Sequence, residues 1–266
     1  MNARRARFIE EMGLGPLWTL RRRSAEAGES EATAIAVDAS RAAMLAERPK
    51  AAAPVPNASV DRGDRVERLG RMDWPALKAA VADCRACALA KSRTQAVFGV
   101  GDEGAEWLLV GEAPGAEEDA RGEPFVGQAG RLLDNMLASI GLKRGTNVYI
   151  ANVLKCRPPG NRNPGADEVV QCSPHLARQI ELIKPRLIIA MGRFAAQTLL
   201  DTDAAIARLR GKLHRYRGVP LLVSYHPAYL LRSLPDKAKA WEDLCLARRV
   251  MADLKAADNP GAVARD

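Results

Sequence analysis

From Trp74 onward, short and wholly apolar runs alternate with longer amphipathic stretches. The apolar runs predict four strands, at 107–111, 148–152, 186–191 and 221–225. The amphipathic stretches predict helices over 74–83, near 129–140, near 166–183, over 193–200 and over 237–256. Strands that are apolar throughout and separated by such helices are typical of a parallel sheet covered on both faces. We therefore predict an α/β fold with three layers, α/β/α, around a central and mainly parallel sheet.

The first 72 residues form an N-terminal extension with a different composition. Residues 1 to about 32 predict an amphipathic helix whose apolar side chains are Phe8, Ile9, Met12, Leu17 and Trp18. Residues 33–60 contain ten alanines, three prolines and no aromatic residue, a composition typical of an extended linker. We accordingly predict a helical segment and linker over 1–72, one folded domain over 73–257 and a short tail over 258–266.

The chain carries a formal net charge of +8, which is compatible with a polyanionic partner but does not identify one. The distribution is more informative, because no acidic residue lies between Asp203 and Asp236. The basic residues inside that interval are Arg208, Arg210, Lys212, Arg215, Arg217 and Arg232. We expect a phosphate backbone along this segment. No apolar run is long enough to span a membrane, so we expect a cytoplasmic monomer without a membrane partner.

Four of the five cysteines form a pattern that favours metal chemistry. Cys84 and Cys87 make a C-x2-C pair, and Cys156 and Cys172 flank a proline-rich turn. Four thiolates from two segments can hold zinc or an iron–sulfur cluster, and the spacing does not separate these alternatives. Ordinary buried cysteines are the remaining interpretation, and it is the one we adopt for Cys245 in the last predicted helix.

Three of the predicted strands end in motifs that contain most of the candidate chemistry. They are GEAPGAEEDARGEPFVGQAG (111–130), NVLKCRPPGNRNP (152–164) and HPAYLLR (226–232). The first has neither the Gly-Lys-Ser/Thr of a P-loop nor the G-x-G-x-x-G of a dinucleotide site, so neither nucleotide nor magnesium is expected. Because ligands bind outside the carboxyl ends of parallel strands, we expect the three motifs to form one site.

Together with the C-x2-C pair, these motifs resemble, in order, the family 4 uracil-DNA glycosylases, the iron–sulfur branch of the uracil-DNA glycosylase superfamily. The resemblance covers about residues 73–257. It implies a monofunctional enzyme of base-excision repair that flips uracil out of single- or double-stranded DNA and hydrolyses its N-glycosidic bond. Free uracil and an abasic site are the implied products. A [4Fe–4S] cluster on Cys84, Cys87, Cys156 and Cys172 is the implied cofactor, with zinc as the minority alternative.

The resemblance also implies roles for individual residues in recognition of the base and the DNA. Phe125 is the expected aromatic platform under the flipped base, and Asn152 the expected reader of uracil N3–H and O4. His226 is the expected donor to uracil O2, where negative charge gathers as the bond breaks. The expected neighbours of these groups are Gly111, which allows close backbone approach, Leu230 as a wedge in the base stack, and Arg232 on a phosphate. The competing interpretation of Leu230 and Leu231 is that both belong to the core side of a helix.

The motifs do not by themselves identify the group that positions the attacking water. The best-studied branch of the superfamily has an aspartate where this chain has Ala113. Glu118 is our candidate, with Glu112 and Asn161 in support, whereas Glu117 and Asp119 are interpreted as solvated acids. The Lys-Arg-Arg-Ile-His insertion of a branch that links covalently to uracil does not follow Asn152, so ordinary turnover is expected.

Two non-enzymatic interpretations compete with this one. The first is an iron–sulfur nucleic-acid-binding module that uses the same pocket without cleaving DNA. The second is an electron carrier, which the motifs outside the cysteines disfavour. The presence of both Asn152 and His226 favours the enzyme, because a protein that only binds has no need of an oxyanion donor.

Overall fold

The structure is a computed structural model that describes residues 58–258. The helix predicted over 1–32, most of the predicted linker and most of the tail lie outside the described residues. The domain boundary near residue 72 remains a prediction. Helix Ala58–Gly70 lies within the predicted extension, where no helix was predicted after about residue 32, and it packs against helix Ala166–Ile183.

The sheet has six strands in the order β1-β3-β2-β4-β6-β5. Their bounds are Val100–Gly101 (β1), Trp107–Gly111 (β2), Val148–Asn152 (β3), Leu187–Met191 (β4), His214–Tyr216 (β5) and Val219–Ser224 (β6). The four inner strands are parallel, and the two edge strands are antiparallel to their neighbours. Gly111 pairs with Asn152, and Met191 with Ser224, so the inner strands end at the same level. The predicted, mainly parallel sheet is confirmed.

Nine α-helices accompany the sheet in the described residues. They are Ala58–Gly70 (α1), Trp74–Ala82 (α2), Ala116–Arg121 (α3), Gln128–Ser139 (α4), Ala166–Ile183 (α5), Arg193–Leu200 (α6), Ile206–Leu209 (α7), Pro227–Leu230 (α8) and Lys237–Asp258 (α9). All five predicted helices and four predicted strands are present, with ends that differ by at most two residues. No described helix is both long and apolar enough to cross a membrane.

Alternation along the strands produces two hydrophobic cores, one on each face of the sheet. Leu108 and Ile188 point to the face covered by α5 and α6. Their neighbours Leu109 and Ile189 point to the opposite face, which α4 and α9 cover. Because both faces are buried, every residue of β2, β3 and β4 is buried, which explains why these strands are apolar throughout. The three-layer arrangement is therefore as predicted.

Candidate active site

A cavity of about 710 Å³ lies at the carboxyl ends of the four parallel strands. Eight of the ten candidate residues outside the cysteines line it: Glu112, Ala113, Glu118, Phe125, Asn152, Asn161, His226 and Arg232. The other two candidates, Gly111 and Leu230, do not. The three motifs thus form a single site, as the topology predicted.

Asn152 ends β3 and contributes an unsatisfied polar group to the cavity. The residue is 2% exposed, and its Oδ1 accepts no hydrogen bond from the described residues. Gly111 is its partner across the sheet, where a Cβ would overlap Asn152 Oδ1 and lie 2.6 Å from Cζ of Phe125. Gly111 therefore allows the amide and the ring to meet, although it does not line the cavity. A buried acceptor without a partner fits a ligand that supplies an N–H.

His226 is the N-cap of α8, and this position determines its tautomer. Its Nδ1 accepts a hydrogen bond from the backbone N–H of Ala228 at 3.2 Å. In the neutral ring the proton is then on Nε2, which becomes the available donor. Burial is the main cause that lowers the pKa of His226 to about 4, with Arg232 contributing. The side chain is therefore neutral at physiological pH. Its ring stacks on Phe125, with 5.3 Å between the centroids.

Glu118 lies in the cavity wall, but its carboxylate is occupied by the loop itself. One oxygen accepts from the N–H of Gly115 at 3.0 Å, and the other from the N–H groups of Val126 and Gly127 at 3.0 and 3.3 Å. The bond from Gly115 caps the start of α3, and the other two bonds tie α3 to the segment after Phe125. Glu118 thus stabilises the loop that contains Phe125.

Glu112 and Asn161 are the other polar candidates in the wall. Burial raises the pKa of Glu112, and the nearby charge of Arg193 partly opposes this effect. Asn161 has a positive φ of 54°, and its Oδ1 accepts a hydrogen bond from Nε of Arg157 at 2.8 Å. Since both oxygens of Glu118 are engaged, Glu112 has the carboxylate that is more available to a bound water. The motifs alone did not distinguish these two acids.

The interpretation of Asp119 as a solvated acid is wrong. Asp119 is 4% exposed, and both of its oxygens accept from the backbone N–H of Thr94 at 3.0 Å. Its neighbour Glu117 is partly exposed and forms a weak ion pair with Arg121 at 3.7 Å. Asp119 is buried because α3 packs against the segment around Thr94, a long-range contact that the local sequence does not reveal.

The role of Leu230 as a wedge stays a prediction, and its burial in this structure favours the alternative of a core residue. Leu230 is 1% exposed and belongs to the core on the α4 and α9 face. As the last residue of α8 it points inward, since α8 packs on α4. A side chain in that core cannot enter a base stack without leaving a cavity behind. Its neighbour Leu231 is 39% exposed and follows directly on the solvent side.

The expected phosphate-binding segment is divided by the fold. Arg210 is buried in a bidentate pair with Asp243 and stacks on Tyr225. Arg217 lies in the turn before β6, at the opposite edge of the sheet from the cavity, and pairs with Glu181. Of the six basic residues in the segment, only Arg232 lines the cavity. Phosphate binding therefore stays a prediction for this segment, and the ion pairs of Arg210 and Arg217 oppose it for those two residues.

Several lining residues were missed in the sequence. Arg162 and Asn163 follow Asn161, Arg193 and Phe194 begin α6, and Ile206 and Tyr225 complete the wall. The sequence could have indicated Arg193, because it comes two residues after the last residue of β4, at the same sheet edge as the motifs. Arg193 and Arg232 add positive charge to the cavity wall, whereas both Nη atoms of Arg162 donate to the carboxylate of Glu168, at 2.9 and 2.6 Å.

The four candidate metal ligands line a second, smaller cavity between α2 and α5. They are Cys84, Cys87, Cys156 and Cys172. Three nearby donors point at their sulfurs: Arg65 Nη2 at 3.6 Å from Cys84, Arg93 Nη1 at 2.9 Å from Cys156, and the Lys155 backbone N–H at 3.2 Å from Cys172. Donors of this kind suit thiolates that carry negative charge.

The four thiols fit either zinc or an iron–sulfur cluster, since thiolate is a ligand of both. Among the described residues, no three or more His, Cys, Asp or Glu side chains are grouped closely enough to hold one metal ion.

His175 supplies a second observation at the same cavity. Arg65 Nη2 lies 3.0 Å from its Nε2, and arginine can only donate, so Nε2 accepts and the neutral ring carries its proton on Nδ1. Burial lowers the pKa of His175 to about 3, so the ring is neutral. Nδ1 is buried and has no partner among the described residues. A buried N–H at this cavity is suited to an electron-rich sulfur acceptor.

Comparison with known proteins finds one matching family and several similar proteins. The family model described as the uracil DNA glycosylase superfamily matches residues 98–245. The type-4 uracil-DNA glycosylase of Archaeoglobus fulgidus is 51% identical over 159 residues, which are 57% of this chain and 79% of that protein. That of Pyrobaculum aerophilum is 42% identical over 183 residues, 66% of this chain and 93% of that protein. That of Thermotoga maritima is 41% identical over 161 residues, covering 60% and 83%.

Proposed function

This chain belongs to the uracil-DNA glycosylase superfamily, and from that premise we infer that it removes uracil from DNA by hydrolysing the N-glycosidic bond. It is a DNA glycosylase of the type-4 group, a hydrolase whose reaction releases free uracil and leaves an abasic site for base-excision repair. The observation that carries the proposal is the buried, unpaired amide of Asn152 beside Phe125 and a neutral His226.

Asn152 accounts for the selection of uracil. Its Oδ1 accepts N3–H, and its amide N–H donates to O4, while the ring of Phe125 supports the face of the base. Cytosine presents an acceptor at N3 and a donor at C4, the reverse of this pattern. It would leave buried polar groups unpaired, at a cost of about 1–3 kcal/mol each. The unsatisfied Oδ1 of Asn152 supports this role.

His226 accounts for the cleavage. As the N-glycosidic bond breaks, negative charge develops on uracil O2, and Nε2–H of a neutral His226 donates to it. The hydrogen bond from Ala228 to Nδ1 keeps the proton on Nε2, so no tautomer change is needed during the reaction. Donors in this role typically lower the activation free energy by about 2.7–4 kcal/mol.

Glu112 positions the water that attacks the sugar, with Asn161 in support. Its carboxylate lies in the cavity wall, where Ala113 leaves room because it carries no acid of its own. A negative charge beside the sugar also stabilises the oxocarbenium-like transition state. Glu118 retains the supporting role of shaping the loop through its three backbone bonds.

The DNA lies across the basic mouth of the cavity. Arg193 and Arg232 line it, and they are suited to phosphates on either side of the flipped nucleotide. Arg162 also lines it but is paired with Glu168. Leu231, which is exposed beside this mouth, replaces Leu230 as the wedge. We propose that the enzyme acts as a monomer on uracil in single-stranded or double-stranded DNA.

Cys84, Cys87, Cys156 and Cys172 hold a [4Fe–4S] cluster in this proposal, and zinc is the alternative. When bound by four thiolates, such a cluster has no open position and supplies cross-linking between chain segments rather than a step of the hydrolysis. The segments it joins include the one after Asn152, which leads directly to Cys156. Neither nucleotide nor magnesium takes part.

A nucleic-acid-binding module that uses the same surfaces without cleavage is the competing function. The direct test is incubation in EDTA with end-labelled oligonucleotides that contain one uracil, as single strands and as U·G and U·A duplexes, followed by alkali. We expect a cut at the uracil and none in the matched thymine oligonucleotides. If protein with its cluster intact binds all three substrates but cuts none, the enzyme proposal fails in favour of the binding module.

A further inference from the structure

Phe125, the proposed platform for the base, has an unusual backbone conformation. Its φ is 55°, in the left-handed region that bulky side chains rarely adopt. The side chain is buried, with 5% of its surface exposed. A conformation of this kind costs about 1–3 kcal/mol and persists only where the surrounding structure enforces it. The contacts that enforce it therefore contribute to the shape of the site.

Arg144 is the main contact on the carbonyl side of this segment. Its Nη1 donates to the carbonyl of Pro124 at 3.0 Å, and its Nη2 donates to the carbonyl of Phe125 at 2.9 Å. Its Nε donates to Oδ1 of Asp134 on α4 at 2.9 Å, which fixes the plane of the guanidinium. One planar group thus holds two consecutive carbonyls and is itself anchored to a helix.

Two further contacts restrict the same segment. Glu118 accepts from the N–H groups of Val126 and Gly127, which come directly after Phe125. Gly130 lies against Phe125 so closely that a Cβ there would overlap the Phe125 carbonyl. Phe125 is therefore held on its carbonyl side by Arg144 and beyond it by Glu118. Arg144 belongs to none of the sequence motifs and does not line the cavity.

We propose that Arg144, oriented by Asp134, is a positioning residue for uracil recognition that holds Phe125 in its strained conformation beside Asn152 and His226. The inference rests on the proposed function and extends it to a residue outside the pocket. When the guanidinium is lost, Phe125 can relax toward negative φ, and a smaller fraction of molecules presents the ring. The apparent affinity for uracil falls by that fraction.

Lysine cannot fully replace this arginine. A single ammonium is a point charge without the planar fork that reaches both carbonyls and Asp134 at once. A lysine at position 144 can keep only one or two of the three hydrogen bonds that Arg144 makes. Arg144→Lys should therefore lie between the wild type and Arg144→Met, an order that loss of positive charge alone does not predict.

Arg178 provides a matched control. Its Nε donates to the carbonyl of Met72 at 2.8 Å, and its Nη1 pairs with Glu181 at 3.2 Å. Its side chain is 20% exposed, close to the 23% of Arg144. It therefore joins a backbone carbonyl to a helix carboxylate as Arg144 does, but it lies on α5 outside the cavity wall.

The experiment measures kcat/KM on a uracil oligonucleotide, the inhibition constant for free uracil and the thermal midpoint for Arg144→Met, Arg144→Lys and Arg178→Met. We expect Arg144→Met to weaken uracil inhibition about tenfold or more and to lower kcat/KM by a similar factor. Arg144→Lys should be intermediate. Arg178→Met should keep the wild-type kcat/KM and the wild-type inhibition constant, even if its thermal midpoint falls as far as that of Arg144→Met.

Two results would overturn the inference. One is unchanged inhibition by uracil in folded Arg144→Met, and the other is an equal loss in Arg178→Met at an equal thermal midpoint. Where Arg144→Met does not fold, Arg144→Lys decides, and wild-type inhibition by uracil then counts against the inference. If the wild-type protein releases no uracil, the proposed function fails instead.

Discussion

Gly111 shows how one missing side chain shapes the proposed site. We predict that Gly111→Ala lowers the single-turnover rate of uracil release by about a hundredfold, because its Cβ would displace Asn152 and Phe125 together. Gly104→Ala is the control, since the nearest atom to its Cβ would be 3.7 Å away. Circular dichroism verifies that both variants fold. Near-wild-type activity in Gly111→Ala would contradict this account of the pocket.

The protonation of His226 leads to a prediction about pH. Its pKa of about 4 keeps the ring neutral well below the pH of about 6.5 where an ordinary histidine titrates. The single-turnover rate should therefore be constant from about pH 8 to about pH 6. If the rate falls at lower pH, the fall should include protonation of Glu112, because burial raises the pKa of its carboxyl group. The pH profile should then change in Glu112→Gln. A midpoint near 6.5 that disappears in His226→Gln would mean that the histidine acts in its charged form.

Leu230 and Leu231 separate stability from DNA engagement at adjacent positions. Leu230→Ala should lower the free energy of unfolding by about 2–5 kcal/mol, because it opens a hole in a packed core. Leu231→Ala should leave stability nearly unchanged and reduce activity on duplex DNA more than on single strands, where little unstacking is needed. Denaturant titration and paired rate measurements test both. A duplex-specific defect in Leu230→Ala alone would restore the original assignment.

At the scale of elements, the sequence predicted what is locally encoded. β2, β3 and β4 were recognised because burial on both faces makes every position apolar. The short strand His214–Tyr216 is polar and lies at the sheet edge, so its pattern resembles a loop. Helix α3 has the sequence AEEDAR and depends on Glu118 and Asp119 contacting distant backbone, which no local pattern reveals.

Helix α1 connects the N-terminal part of the described chain to the thiol cavity. Arg65 donates to Cys84 Sγ and to the carbonyl of Gln171, and it fixes the tautomer of His175. We predict that Arg65→Met loses the proposed cluster faster than the wild type in air and chelator, because a charged donor to sulfur is removed. Iron and sulfide analysis over time measures this. The exposed Arg68→Met is the control, and equal loss rates in both variants would contradict the prediction.

At the scale of the whole molecule, the motifs predicted which residues meet, but not how each is used. Parallel topology brought Asn152 and His226 to one edge of the sheet, whereas Phe125 is placed there by the contacts of its loop with Arg144 and Glu118. The engagement of Glu118 by backbone, the burial of Leu230 and the position of Arg144 all depend on long-range packing. The distribution of unpaired positive charge also depends on long-range packing. The ion pairs Arg210–Asp243 and Arg217–Glu181 engage two arginines that the sequence alone assigns to DNA binding.

In the proposed function, Nε2–H of His226 promotes cleavage of the glycosidic bond by donating a hydrogen bond to uracil O2. The most direct test measures uracil release and oligonucleotide binding side by side for the wild type and His226→Ala, with the same single-uracil substrate. We expect release by the wild type and a loss of about a hundredfold or more in the variant. Binding should stay within about twofold in the variant. Equal rates of release in the two proteins, or no release from either, would contradict the account.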